Sequence, residues 1–125
     1  MLARANRGLK RADFSAVYKS GKTLKTAFFR IKTVDNPENT VQVAVVVANK
    51  TIKGAVKRNR LRRQVYAIMR ELQPFFVKQA RIVIIPEQSV KTADFQTMHT
   101  DLVKAFTKIH FLDSEKMANN SKNEI

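Results

Sequence analysis

The chain contains no cysteine, which excludes disulfide cross-links and thiolate metal sites. No apolar run approaches the roughly 18–20 residues that a bilayer-spanning helix needs. The opening stretch, Met1 to Arg11, has no apolar signal-peptide core, so cytoplasm is the expected compartment and no membrane partner is expected. Acidic residues are scarce: 10 Asp and Glu stand against 24 Lys and Arg, a formal charge of +14 in 125 residues. From Asn39 to Arg70 there is no acid at all, whereas Lys50, Lys53, Lys57, Arg58, Arg60, Arg62, Arg63 and Arg70 fall in that stretch.

Catalytic arrangements are also missing. His99 and His110 are 11 residues apart on one expected helix, about three turns, so they cannot share a metal. Asp94 and Asp101 lie about 10 Å apart along the same helix, too far for a two-metal carboxylate cluster. No nucleophile–base pair, phosphate loop or metal-ligand spacing occurs, and no catalytic or metal-binding residue is assigned.

What is present is positive charge in one place. Residues 1–70 hold 17 Lys and Arg against 3 Asp and Glu, and residues 71–125 hold 7 against 7. Charge packed this unevenly repels itself unless a polyanion offsets it, which points to nucleic acid.

Hydrophobic spacing divides the chain into elements of one domain, residues 1–112. Residues 1–10 read as a basic arm carrying Arg7 and Lys10, continued by Arg11. Phe14, Val17 and Tyr18 recur at helical spacing between Lys10 and Ser20, with Gly21 placed to end the helix. Strands are expected at Phe28–Val34 and Thr40–Ala48. The turn cluster Asp35 to Asn39 predicts that these two pair as an antiparallel hairpin. A polar loop, Asn49 to Gly54, leads to a helix from about Ala55 to Leu72, stopped by Pro74. The apolar run Arg81–Ile85, bounded by Pro86, reads as a buried central strand beside the 40–48 strand. A last amphipathic helix carries Phe95, Met98, Leu102, Phe106 and Ile109. Residues 113–125 are polar and expected to be a disordered tail. The order is α-β-β-α-β-α, an α/β two-layer sandwich with room for one more short strand over residues 22–27.

On a helical wheel, Leu61, Val65, Ile68, Met69 and Leu72 form one stripe. Asn59, Arg60, Arg63 and Arg70 lie opposite, with Tyr66 beside them, and Arg58 and Arg62 flank the apolar side. A merely solvated face would interleave acids to gain i,i+4 pairs; this one has none before Glu71. Arg forks match phosphate oxygens, and Asn59 can read a base edge or a 2′-hydroxyl. Phe14 and Tyr18 face the same way, either as core anchors or as a platform for stacking single-stranded bases. Phe28 and Phe29, adjacent in a strand, should point to opposite faces, one into the core. Phe75, Phe76, Phe95 and Phe106 are assigned to packing.

The run Val47-Ala-Asn-Lys-Thr-Ile-Lys-Gly-Ala-Val-Lys-Arg-Asn-Arg-Leu-Arg-Arg63 resembles the signature of the bacterial ribonuclease P protein subunit. In that family a strand ending in Lys-Lys and a short loop lead into an Arg-Asn-Arg helix. Leu9-Lys10-Arg11, Asp13-Phe14 and Val17-Tyr18 resemble the family's opening, and the resemblance extends over about residues 7–110. It departs at Asn49, Lys32 and Pro86-Glu87, where relatives often carry a lysine, an aromatic and a small-basic pair. The resemblance implies an accessory subunit of an endoribonuclease that removes the 5′ leader of precursor tRNA. A catalytic RNA would perform the hydrolysis with Mg²⁺, mainly RNA-bound. It also implies a left-handed βαβ crossover for the basic helix. Carried over by position, Phe14, Tyr18, Phe29 and Lys32 are expected in a leader cleft. Lys50, Lys53, Lys57, Arg58, Asn59, Arg60, Arg62, Arg63 and Arg70 are expected at RNA, with Arg7, Lys10 and Arg11 adding N-terminal charge. The expected partners are the catalytic RNA and the precursor tRNA leader, with no DNA.

Two other readings compete. One is a general or ribosomal-type RNA-binding protein without a catalytic partner. The other is a metal-dependent nuclease acting through Asp94 or Asp101.

Overall fold

The computed structural model describes residues 17–19, 21–36 and 40–113. The expected arm with Arg7, Lys10 and Arg11, Phe14, and the tail after Asp113 lie outside the described residues. Four strands form one sheet: β1 (Lys22–Lys25), β2 (Phe29–Asp35), β3 (Gln42–Val45) and β4 (Ala80–Pro86), in the spatial order β1-β2-β4-β3. Among the described residues two long helices accompany them, α1 (Ala55–Leu72) and α2 (Phe95–Lys108), residues 17–19 of the expected first helix are helical, and short 3₁₀ segments follow α1 and β4. The short strand expected over 22–27 is therefore β1.

β2 and β3 do not form the hairpin that the turn cluster predicts. β4 lies between them, antiparallel to β2 and parallel to β3. Their relative direction is as expected, but their adjacency is not. The reason is the composition of β4: Ile82 and Ile84 point to one face, Val83 and Ile85 to the other, and all four are buried. A strand that is apolar on both faces must be covered on both, which a central position provides. Crossing it takes about 10 Å, which the residues between Asp35 and Gln42 can span. The crossing is stitched by buried Asn36, whose Nδ2 donates to the Thr40 carbonyl at 2.9 Å and to Gln42 Oε1 at 3.3 Å.

The main core lies on the face made by Phe29, Ile31, Val43, Val45, Ile82 and Ile84, under both helices. All five residues of the α1 stripe are buried there. The opposite face carries a smaller cluster, Val17, Val83 and Ile85, with Val34, Ala44 and Val46 at its margin. Tyr66 departs from its expected place beside the cationic face. It is half-buried, and its hydroxyl accepts the Val45 backbone N–H at 3.1 Å. β3 is an edge strand, so Tyr66 supplies a partner that the sheet itself cannot.

α2 ends in a Schellman turn. The Phe111 N–H donates to the Phe106 carbonyl at 2.9 Å and the His110 N–H to Thr107 at 3.0 Å. His110 adopts φ 62° at the position usually held by glycine, so it lies just past the helix rather than on it. Phe106 is fully buried as expected, whereas Phe95 is 37% exposed.

Candidate nucleic-acid interface

Two surfaces gather the expected RNA-binding residues. The first is the outer half of α1 with the loop before it. Lys57, Asn59, Arg60, Arg63 and Arg70 are exposed, while Arg58 and Arg62 are half-buried at the flanks. Burial of Leu61, Val65 and Ile68 fixes the rotation of the helix, so its cations must face outward. Lys50, Lys53, Lys57, Arg60, Arg63 and Arg70 have neither an ion pair nor a hydrogen bond among the described residues. Arg70 also lies in the last turn, where positive charge suits the helix dipole.

The loop is tightly held. Thr51 and Ile52 N–H groups both donate to the Ala48 carbonyl, at 3.0 and 3.1 Å. Gly54 enters the helix at φ 96°, ψ 123°, a conformation that a side chain would strain. Arg58 Nη1 donates to Asn49 Oδ1 at 2.7 Å and to the Ile52 carbonyl at 3.2 Å. Arg58 thus fastens the loop to the helix and holds Lys50 and Lys53 beside it. Arg62 donates to the Asn59 side chain, which orients both groups.

The second surface is the sheet face away from α1 and α2. Strand alternation places Arg30 and Lys32 there, over the floor of Val83 and Ile85. Of the expected cleft residues, Tyr18 is 44% exposed. Lys32 Nζ lies 4.1 Å from the Tyr18 ring centroid and donates to the Tyr18 carbonyl at 3.0 Å. The pair forms a cation–π contact between β2 and the helical residues 17–19.

Phe29 does not join them. It is fully buried in the main core, on the opposite face from Lys32. Alternation makes this unavoidable: Phe29 and Lys32 are an odd number of residues apart in one strand. Phe28 does not take its place, because it sits in the turn before β2 and packs against the same core. Arg30 was missed, although its spacing of two from Lys32 was a readable signal. Its Nε is buried with no hydrogen-bond partner among the described residues, 4.0 Å from Glu87 Oε1.

The acids are committed elsewhere. Asp94 caps α2, its Oδ1 accepting the Thr97 N–H at 2.7 Å. Asp101 Oδ2 accepts the Thr26 hydroxyl at 2.6 Å, tying α2 to the turn before β2. His99 Nε2 meets Glu71 Oε2 at 3.1 Å, joining α2 to α1. Among the described residues no group of three or more His, Asp or Glu could hold a metal.

Asp94 gives a prediction. Its hydrogen bonds with Thr97 hold its carboxyl below the ordinary value of 3.8. Its contribution to stability is therefore complete above that value and lost as pH falls through the lower folded-state value. Asp94→Asn keeps a capping acceptor but does not titrate. Acid titration followed by circular dichroism should show a shallower loss of stability in the variant below the ordinary carboxylate range. Superimposable curves would show that Asp94 contributes nothing.

Comparison with known proteins agrees with this geometry. The family model described as Ribonuclease P matches residues 2–110. A ribonuclease P protein component of Pseudanabaena sp. is 30% identical over 113 residues, covering 90% of this chain and 97% of its own length. That of Rippkaea orientalis is 32% identical over 114 residues, covering 86% and 88%. Among solved structures, the RNase P protein of Thermotoga maritima superposes with a TM-score of 0.71 at 29% identity, covering 78% of this chain and 92% of its own. The Staphylococcus aureus protein shares the fold at a TM-score of 0.78 and 22% identity, covering 88% and 100%. With the model match spanning nearly all of the chain, and a basic helix and mixed sheet of the same architecture, this protein belongs to the ribonuclease P protein component family.

Proposed function

We propose that this protein is the RNA-binding subunit of ribonuclease P and assists a catalytic RNA in removing the 5′ leader of precursor tRNA. One observation carries the reading: an outward face of α1 whose cations have no acid beside them, on a helix whose rotation is locked by the core. Lys57, Arg60 and Arg63, with Lys50 and Lys53 of the loop, would meet the RNA subunit, while Asn59 and Arg62 orient one another. Arg70 would extend that face. The sheet face with Tyr18, Arg30 and Lys32 would take the single-stranded leader, and Phe14, Arg7, Lys10 and Arg11 would add to it from the N-terminal side.

The protein contributes charge and position rather than bond-breaking groups. Neutralising phosphates releases counterions and lets closely packed RNA form at lower Mg²⁺, the ion the catalytic RNA would use. A substrate with a leader gains contacts that the mature product lacks, so it is held more tightly. No helix among the described residues is long and apolar enough to cross a membrane.

The test is cleavage of 5′-labelled precursor tRNA at low Mg²⁺, with bacterial ribonuclease P RNA, with the protein, and with both. Cleavage at the mature 5′ end only with both supports the reading. No enhancement with a cognate, folded RNA would sink it in favour of a general RNA-binding protein. Within that assay, the double variant Arg60→Gln, Arg63→Gln should bind the RNA subunit about 25-fold more weakly near physiological salt. Its log–log salt dependence should be shallower by about two.

A further inference from the structure

Four lysines from two separate parts of the chain line one concavity of about 440 Å³. Lys50 and Lys53 come from the loop before α1, and Lys57 from its first turn. Lys91 comes from the 3₁₀ segment Gln88–Thr92, which follows β4. Ile52 completes the lining among the described residues. None of the four lysines has a hydrogen-bond or ion-pair partner among the described residues.

Shape distinguishes this group from the outer face of α1. On a convex surface lysines splay apart into water, whereas ammonium groups turned toward one hollow raise its potential and favour an anion there. The backbone at Lys91 is not free to relieve the crowding. Val90 beside it is 4% exposed in the main core. Ser89 Oγ donates to the Ala27 carbonyl at 2.6 Å and Thr92 Oγ1 to Ser89 at 2.9 Å. Among the described residues the lining side chains include no aromatic ring, amide or carboxylate. Ammonium groups alone bind phosphate oxygens as point charges and carry no means of reading bases.

We propose that this pocket grips the sugar–phosphate backbone of the RNA partner, and that Lys91, outside the basic segment, supplies its far wall. The proposal rests on the RNA-binding reading above and adds a phosphate-only subsite with a residue that no sequence pattern indicated.

The test compares full-length wild type, Lys91→Gln and Lys91→Arg for binding to ribonuclease P RNA and to an unrelated duplex RNA, across salt. Lys91→Gln should bind about fivefold more weakly near physiological salt, with a log–log slope shallower by about one on both RNAs. Lys91→Arg should match wild type, and Lys108→Gln, outside the pocket, should leave the slope unchanged. All should melt at the wild-type temperature. Equal slopes with and without Lys91 on both RNAs would overturn the pocket, as would an arginine variant that fails like the glutamine one. A wild type with no preference between the two RNAs would instead count against the ribonuclease P reading, and a slope change at Lys91 would still stand.

Discussion

Phe29→Ala should destabilise the protein by about 3–5 kcal/mol, the usual cost of emptying a buried phenylalanine site. Phe29 has no exposed surface and packs with Ile31, Ile84 and the helices in the main core. Ordinary domains are stable by only about 5–15 kcal/mol, so this one substitution could leave much of the protein unfolded at physiological temperature. Phe29→Leu fills most of the site and should cost far less. The pair separates two roles for the residue. A core residue predicts that folded Phe29→Leu protein discriminates precursor from mature tRNA as wild type does. Urea unfolding measures the first effect, and the ratio of affinities for the two tRNAs measures the second. A well-folded Phe29→Ala protein that had lost leader preference would put Phe29 back in the cleft.

The second large effect is expected at Gly21. A Cβ there would lie 2.4 Å from the Val17 carbonyl oxygen and 3.0 Å from that of Thr33. Both are backbone atoms held in place. The Val17 carbonyl accepts the Gly21 N–H at 2.8 Å, and Thr33 is paired to Lys22 on one side and Ile82 on the other. Relief requires lifting the helical residues 17–19 off the sheet, which exposes Val17, Val83 and Ile85. Gly21→Ala should therefore cost about 3 kcal/mol, the upper range for overpacking. It should also separate the two surfaces. The outer face of α1 is fastened by Arg58 and its own core stripe, so affinity for the RNA subunit should hold. Preference for leader-bearing tRNA should fall, because Tyr18 and Lys32 part company. Binding of the RNA subunit and of the two tRNAs by the folded variant checks this. Equal loss at both surfaces would mean that the face at residues 17–19 and α1 do not act separately.

Much of this could be read without coordinates, and the residues show why. The α1 stripe from Leu61 to Leu72 follows from a period of 3.6 that only a helix can satisfy, and its cationic half follows with it. Gly21 as a stop is a local feature, decided within a few residues. The family signature is likewise contiguous from Val47 to Arg63, so one stretch of chain carried it.

Other features depended on which segments meet. Strand periodicity showed that β2 has two faces, but not which one the helices would cover, and that choice sent Phe29 inward and Lys32 to Tyr18. Adjacency in sequence suggested a β2–β3 hairpin, whereas β4, apolar on both faces, had to occupy the centre. Tyr66 could have joined the cations of α1; only the free N–H of edge strand β3 claims its hydroxyl. Lys91 stands 34 residues beyond Lys57 in the chain, and no spacing rule connects them. Sequence alone determined the charge, the elements and the kind of partner, because those arise from composition and short-range order. Tertiary structure decided the sheet order, the face that Tyr18 and Lys32 share and the lysine pocket, because burial is settled by the whole set of apolar surfaces at once.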